Sequence, residues 1–303
     1  MTSPVTTRPL VAADLDRVIG IDGTTTGRSR RGFYTKRFGA LAEDPQGVVA
    51  LGAERDGQLV GVAFARLVYG EFGSDTPAGA LDAVAVAPAA RGAGAGTNLL
   101  GAVEHALASR GARQLTSQAD WTDHGMVGFF SSGGFALSGR LVLDRAIDGR
   151  SGDEFDWEQL PVRSMDERDV ASMVRLDRSI TGRDRSAYYR RKAAEALRRG
   201  GVRVSLVAEL DGAFVGFLMA RVDYGDFGRT EPTAVLDTIG VHPEFARRRV
   251  GRALLEQLLL NLGSLRVERV LTEVGLDQLD LLAFFARTGF RASQRLSFTK
   301  AIG

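Results

Sequence analysis

The 303-residue chain contains no cysteine, which excludes disulfides, thiolate nucleophiles and cysteine metal sites. Histidine is scarce: His105, His124 and His242 stand at spacings that suit no metal site, and each reads as a surface or capping residue. Only His124, near a helix start on the side of the expected cleft, merits a test. No stretch approaches roughly 18 uninterrupted apolar residues, and no basic segment followed by an apolar run opens the chain. A membrane span and a signal peptide are therefore not expected, and a cytoplasmic location is. Charge of one sign is not in excess either, since 39 basic and 37 acidic residues leave a formal charge of +2. Nucleic acid is thus not an expected partner, and the densest basic run, Arg247-Arg248-Arg249 with Arg252 behind it, reads first as a solvated face. What is present is ordinary for a globular protein: 44% hydrophobic and 25% charged residues, enough to build a core in each of two domains.

The chain repeats itself. Tyr69-Gly70-Glu71-Phe72-Gly73 recurs as Tyr224-Gly225-Asp226-Phe227-Gly228. The same spacing carries Thr26-Gly27-Arg28 onto Thr181-Gly182-Arg183, Asp56-Gly57 onto Asp211-Gly212, Leu81-Asp82 onto Leu236-Asp237, and Gly134-Phe135 onto Gly289-Phe290. A register held this far without insertion implies two copies of one fold, whereas a solenoid would need a shorter period. The polar, Gly-containing stretch 148–154 marks the boundary, giving domains 1–150 and 153–303.

Each copy alternates between element types. Two β-rich runs (48–54 and 58–66; 202–209 and 213–221) flank Asp-Gly, a hairpin signal. Helical stretches precede them at 12–21 and 31–42, and at 166–176 and 186–198. A strand at 81–86 leads through a Gly-rich turn to an amphipathic helix at 96–108, and the second copy repeats that order over 236–262. A strand (114–119; 269–274), a helix (124–131; 279–286) and a closing strand pair (135–144; 290–300) complete each copy. The expected class is α+β, a twisted mixed sheet flanked by helices.

Arg91-Gly92-Ala93-Gly94-Ala95-Gly96 follows a strand and opens a helix, so converging backbone N–H groups and the helix dipole favour a phosphate or pyrophosphate there. A Walker loop would need Gly-Lys-Ser/Thr, and a dinucleotide fingerprint would need glycine where Thr97 sits. The segment 86–96 resembles the signature of the GNAT superfamily of N-acetyltransferases, Arg/Gln-x-x-Gly-x-Gly/Ala after a strand ending Val-x-Pro. Phe129-Phe130-Ser131-Ser132-Gly133-Gly134-Phe135 is similar to that family's later Phe-Tyr-x-x-x-Gly-Phe.

The resemblance implies two tandem GNAT-like domains and acetyl-CoA as co-substrate. Its pyrophosphate would lie on the turn formed by Arg91, Gly92, Gly94, Ala95, Gly96 and Thr97, and its pantetheine along the strand at Val84 and Val86. The acceptor would approach from the opposite side, near Arg28 and the loop holding Tyr69, Glu71 and Phe72. In the second copy the ungapped register sets Ala246 opposite Arg91 and Arg249 opposite Gly94, so that loop reads as degraded. A register two residues later, Arg248 to Ala253, fits the motif's letters with a longer turn. The tyrosine that often serves the family as general acid is Phe130 in one copy and Phe285 in the other.

An amine must lose its proton before it attacks a thioester. Asp82 is the first candidate base, because strict alternation puts it on one face with Val84 and Val86; its structural alternative is a carboxylate paired with an arginine. Glu71 is the other candidate base or an ammonium anchor, and Arg28 a candidate contact for an anionic part of the acceptor. No metal is expected. The function expected is acetyl transfer to a primary amine of a small molecule or peptide, in the first domain of a monomer or homodimer. The alternatives are a non-catalytic CoA-binding or interaction module and a tandem acyltransferase of small-molecule thiol metabolism.

Overall fold

Asp56 and Gly57 adopt φ of 54° and 72°, and Asp211 and Gly212 adopt 51° and 76°. Two consecutive left-handed residues make the tight turn whose twist matches a right-twisted hairpin, so each Asp-Gly closes the strand pair expected of it. The computed structural model describes residues 4–69, 77–147, 160–198, 204–223, 227 and 233–303. Glu71, Phe72 and the boundary stretch 148–154 lie outside them.

The first half runs β1 (Thr6–Pro9), α1 (Leu15–Thr26), α2 (Arg31–Glu43), β2 (Val48–Arg55), β3 (Gln58–Tyr69), β4 (Pro77–Val86), α3 (Ala95–Ala108), β5 (Gln114–Asp120), α4 (His124–Ser132), β6 (Ala136–Leu137) and β7 (Arg140–Ala146). The second half repeats the order as β8 (Val162–Ser164), α5 (Val170–Thr181), α6 (Ser186–Arg198), β9 (Leu206–Leu210), β10 (Ala213–Asp223), β11 (Thr233–Val241), α7 (Val250–Ser264), β12 (Arg269–Gly275), α8 (Leu279–Arg287), β13 (Arg291–Ala292) and β14 (Arg295–Ala301).

The strands form two seven-stranded sheets, ordered β1-β2-β3-β4-β5-β14-β6 and β13-β7-β12-β11-β10-β9-β8. Each sheet therefore takes a strand from the other half. β14 pairs antiparallel with β5 from Arg295↔Asp120 to Ala301↔Gln114, and β7 pairs with β12 from Arg140↔Gly275 to Ala146↔Arg269. The closing pair expected to complete each copy is thus corrected: β6 stays with its own sheet, and β7 crosses to the other. The exchange is also written into the cores. Phe298 of β14 packs with Leu115 and Phe130 of the first half, and Leu143 of β7 packs with Val270 and Phe290 of the second. The short edge strands β1 and β8 lie outside the hairpin in each sheet.

Helices cover both faces of the first sheet. α3 buries Leu99, Val103 and Leu107, spaced four apart and fully buried, against Leu81 and Leu115. Such side chains each contribute about 1.5–3 kcal/mol by leaving water. α1 and α2 cover the opposite face, where Val18, Ile21, Phe33 and Tyr34 meet Val62, Phe64, Ala83 and Ala85. Beneath them Asp22 receives two hydrogen bonds from Arg30, which also donates to Tyr34; burial raises the Tyr34 hydroxyl well above its ordinary value.

Candidate active site where two parallel strands part

β4 and β5 lie parallel, but their ladder holds only Ala78↔Gln114, Gly79↔Leu115 and Ala80↔Thr116. Beyond Ala80 they diverge, β4 staying with β3 as far as Val86 and β5 with β14. At the apex the Ser117 hydroxyl donates to the Leu81 carbonyl at 2.9 Å, as Thr272 does to Leu236 in the second half. The β5-facing side of β4 from Asp82 to Val86 is left as an open strand edge, which can take the extended, amide-bearing arm of a ligand by backbone hydrogen bonds.

β4 leads into a short turn, Pro88–Ala90, and then into α3. Gly92 and Gly94 sit at φ of 74° and 80°, and a Cβ built on either would meet nothing within 4 Å. Their Cα–H faces open space at the N-terminus of a 14-residue helix, where backbone N–H groups and the helix dipole favour an anion. Ala95 and Thr97 lie in the first turn of α3, and Arg91 donates to the Val86 carbonyl at 3.3 Å. Gly96 has a packing reason as well: a Cβ there would stand 3.0 Å from the Phe129 ring. The residues assigned to a pantetheine and a pyrophosphate therefore follow one another along the end of β4 and the start of α3.

The second half settles which register its loop follows. Pro243–Phe245 makes the same short turn and α7 begins at Val250, while Arg247 and Arg249 hold φ of 64° and 63°. The ungapped register is the one observed, and the later one is excluded. The backbone keeps the shape of the glycine turn, but with side chains where the first half is bare.

Asp82 corrects the expectation from alternation. The β3–β4 register slips between Phe64↔Ala83 and Ala65↔Leu81, so Asp82 is the extra residue of a β-bulge. Val84 and Val86 turn toward the α3 cluster, whereas Asp82 turns to the opposite face. There both its oxygens are held by Arg66, at 2.6 and 2.8 Å, and Arg37 stands 3.1 Å away. A proton taken by this buried carboxylate would leave two guanidinium groups without its counter-charge. The geometry makes Asp82 a structural carboxylate, the alternative recognised for it. Asp237 repeats the arrangement with Arg221 and Lys192.

Phe130 is buried among Phe129, Phe135 and Phe298, with ring centroids 5.0–5.8 Å apart, and offers no proton. Arg28 is exposed just past the left-handed Gly27 that ends α1. Tyr69 lies at the end of β3 and carries the guanidinium of Arg191, from α6 of the other half, 3.8 Å over its ring. His124 is the exposed first residue of α4, which Asp123 caps by accepting from the Met126 N–H. Among the described residues no cluster of three metal-ligating side chains occurs, and no helix is long and apolar enough to cross a membrane.

Sequence reasoning missed a cavity of about 330 Å³ between the two sheets. Arg66, Gln118 and Ser297 of the first sheet and Arg140, Arg221 and Glu273 of the second line it, together with Ala80, Val142, Val235 and Leu271. Gln118 donates to Glu273, the residue equivalent to it in the repeat. The other oxygen of Glu273 accepts from Ser297 at 3.2 Å and lies 3.6 Å from Arg140. Burial pushes the Arg140 guanidinium below its ordinary value. The repeat could have found this cavity only if the strand exchange, which carries Arg140 and Ser297 across, had been known. A larger groove, about 780 Å³ between α5 and α6, is lined by none of the residues singled out from the sequence.

The model of the acetyltransferase (GNAT) family matches residues 21–135 and 170–290. No curated protein matches. Among solved structures, a glucosamine N-acetyltransferase region of a fungal multi-domain β-N-acetylglucosaminidase superposes with a TM-score of 0.72 at 15% identity, covering 99% of this chain and 38% of that one. A tandem GNAT protein from the clavulanic acid biosynthesis pathway gives 0.70 at 18% identity, covering 99% of both chains. An N-acetyltransferase of the same family from Sphaerobacter thermophilus gives 0.66 at 18%, covering 99% and 97%. At these identities the likeness is one of fold, and it extends over both halves.

Proposed function

The chain belongs to the acetyltransferase (GNAT) family, and on that footing we propose that it transfers an acetyl group from acetyl-CoA to a primary amine, with the chemistry in the first half. One observation carries this reading: Gly92 and Gly94 leave open space over the start of α3 beside the parted strands, while Arg247 and Arg249 occupy the equivalent positions. Close approach of a diphosphate to backbone N–H groups needs that bare surface.

In the proposed reaction the turn from Arg91 to Thr97 holds the pyrophosphate, and the free edge of β4 at Val84 and Val86 aligns the pantetheine in the gap. The thioester carbonyl then lies where β4 and β5 diverge. The amine lone pair forms the new C–N bond, the C–S bond breaks with its electron pair going to sulfur, and the nitrogen releases its proton. A thiolate leaves readily, so the loss of the family's tyrosine at Phe130 removes assistance without removing the reaction. Asp82, held between Arg37 and Arg66, fixes the bulge from which the gap opens. Glu71 remains the candidate base on sequence grounds alone.

Calorimetric titration of acetyl-CoA into the intact chain, followed by an amine screen monitored by thiol release, tests the proposal. One bound acetyl-CoA per chain and amine-dependent release of CoA are the expected results. Absence of binding would remove the proposal.

A further inference from the structure

The cavity between the sheets lies on the same face of the first sheet as Asp82. Along β5, Leu115 and Ala119 point into the α3 cluster, so Thr116 and Gln118, which line the cavity, point the other way. A molecule in the cavity and a cofactor seated at the start of α3 would reach the parted strands from opposite faces. The cavity is small for a ligand site, near the lower end of the roughly 300–1,000 Å³ usual for them. Its walls combine apolar surface with three guanidinium groups and the carboxylates of Glu273 and Asp277, a pattern that orients a small ligand through a few polar contacts.

The guanidiniums define the chemistry. Arg66 and Arg221 are equivalent residues of the two halves, one from each sheet, and Arg140 comes from the exchanged strand β7. A planar guanidinium fork matches carboxylate and phosphate oxygens. Arg140 is held in surroundings that disfavour its charge, a penalty that a bound anion would offset.

We propose that this cavity receives the acceptor, and that the acceptor is a small amine bearing a carboxylate or phosphate group, which Arg66, Arg140 and Arg221 hold. This rests on the acetyl-transfer reading. It gives the second half a direct part in recognition, because Arg221 and Glu273 belong to it and Arg140 is seated in its sheet. Glu273 on the cavity wall is placed to attract the ammonium end of such a molecule.

The test compares matched acceptors on the full chain: 4-aminobutanoate against butylamine, and 3-aminopropyl phosphate against 3-aminopropanol, each followed by CoA release and by direct titration. At least one acid-bearing amine is expected to exceed its neutral counterpart by at least about tenfold, the worth of one charge-assisted hydrogen bond; the better of the two acids identifies the group recognised. Arg140→Gln is expected to remove that preference while acetyl-CoA affinity and melting temperature stay near those of the parent, which shows that the variant is folded. Arg221→Gln is expected to remove it too, at a lower melting temperature because Asp237 loses a partner, with retained acetyl-CoA affinity showing that it is folded. Equal use or equal binding of charged and neutral amines would overturn the inference and leave acetyl transfer standing, as would a preference that survives in both variants. Failure of acetyl-CoA itself to bind would instead overturn the reading beneath it.

Discussion

The two halves share a turn that differs in almost every side chain and hardly at all in backbone. Gly92 and Gly94 at φ of 74° and 80° match Arg247 and Arg249 at 64° and 63°. Glycine is therefore not what bends this turn. The strand before it and the helix after it, docked on the sheet through Leu99, Val103 and Leu107 or through Leu254, Leu258 and Leu262, dictate its path. What glycine supplies is surface without a Cβ. A non-glycine residue in the left-handed region costs about 1–2 kcal/mol, so the second half keeps a strained turn that no longer has that surface. Elsewhere the halves stay close: Arg8, Asp14 and Glu54 recur as Arg163, Asp169 and Glu209.

The strongest challenge to the comparison is to separate the halves. Residues 1–152 produced alone should not behave as a stable monomer, since β5 would lose β14 and β7 would lose β12. We expect a homodimer with β7 of each copy lying on β5 of the other, and light scattering at several concentrations measures it; a folded monomer would contradict the topology. Next in size, Asp82→Asn should cost about 3–5 kcal/mol, the usual effect of removing one partner from a buried ion pair, read from urea unfolding. Asp237→Asn should cost less, because its lysine partner stands 3.8 Å away where Arg37 stands 3.1 Å from Asp82.

Gly94→Arg should then weaken acetyl-CoA binding by about a hundredfold, the loss of two or so charge-assisted hydrogen bonds, without lowering the melting temperature by more than about 2–4 °C. Unchanged affinity would mean that the bare surface is not what the ligand uses. Arg249→Gly should stabilise the chain by about 1 kcal/mol by relieving left-handed strain. The smallest effect concerns Asp14, whose carboxyl the hydrogen bond from Arg8 holds below its ordinary value. A depressed folded value means stability that is present above the unfolded carboxylate value of about 3.9 and lost as pH falls through the folded one. Asp14→Asn should therefore cost about 0.5–1 kcal/mol near neutral pH and progressively less under acid, as a pair of unfolding curves at two pH values would report.

Much of this was legible because it is written locally. Asp-Gly between β-rich runs names its own turn, and glycines that open a helix after a strand name a turn of left-handed residues. The unpredicted features depend on partners that periodicity does not identify. β7 and β14 alternate in the same way, so nothing in either sequence says which of β5 and β12 it will join. One added residue at Asp82 inverts the face of a carboxylate that strict alternation would have set beside Val84. β1 escaped notice because Thr6 to Pro9 is nearly all exposed and carries no apolar alternation. The inter-sheet cavity follows from the exchange and was hidden with it.

The exchange also sets an order of events during synthesis. β5 ends at Asp120 and its neighbour β14 begins at Arg295, so the first sheet has to wait for nearly the whole second half to be made. At roughly 5–20 residues per second the edge of β5 stands uncovered for roughly 10–35 s on the ribosome, with Phe130 short of Phe298. The second sheet has no such wait, since β7 is made before β12. The half that keeps the bare glycine turn is therefore the last part of the molecule to be finished, and a ribosome that stops before Arg295 leaves it open.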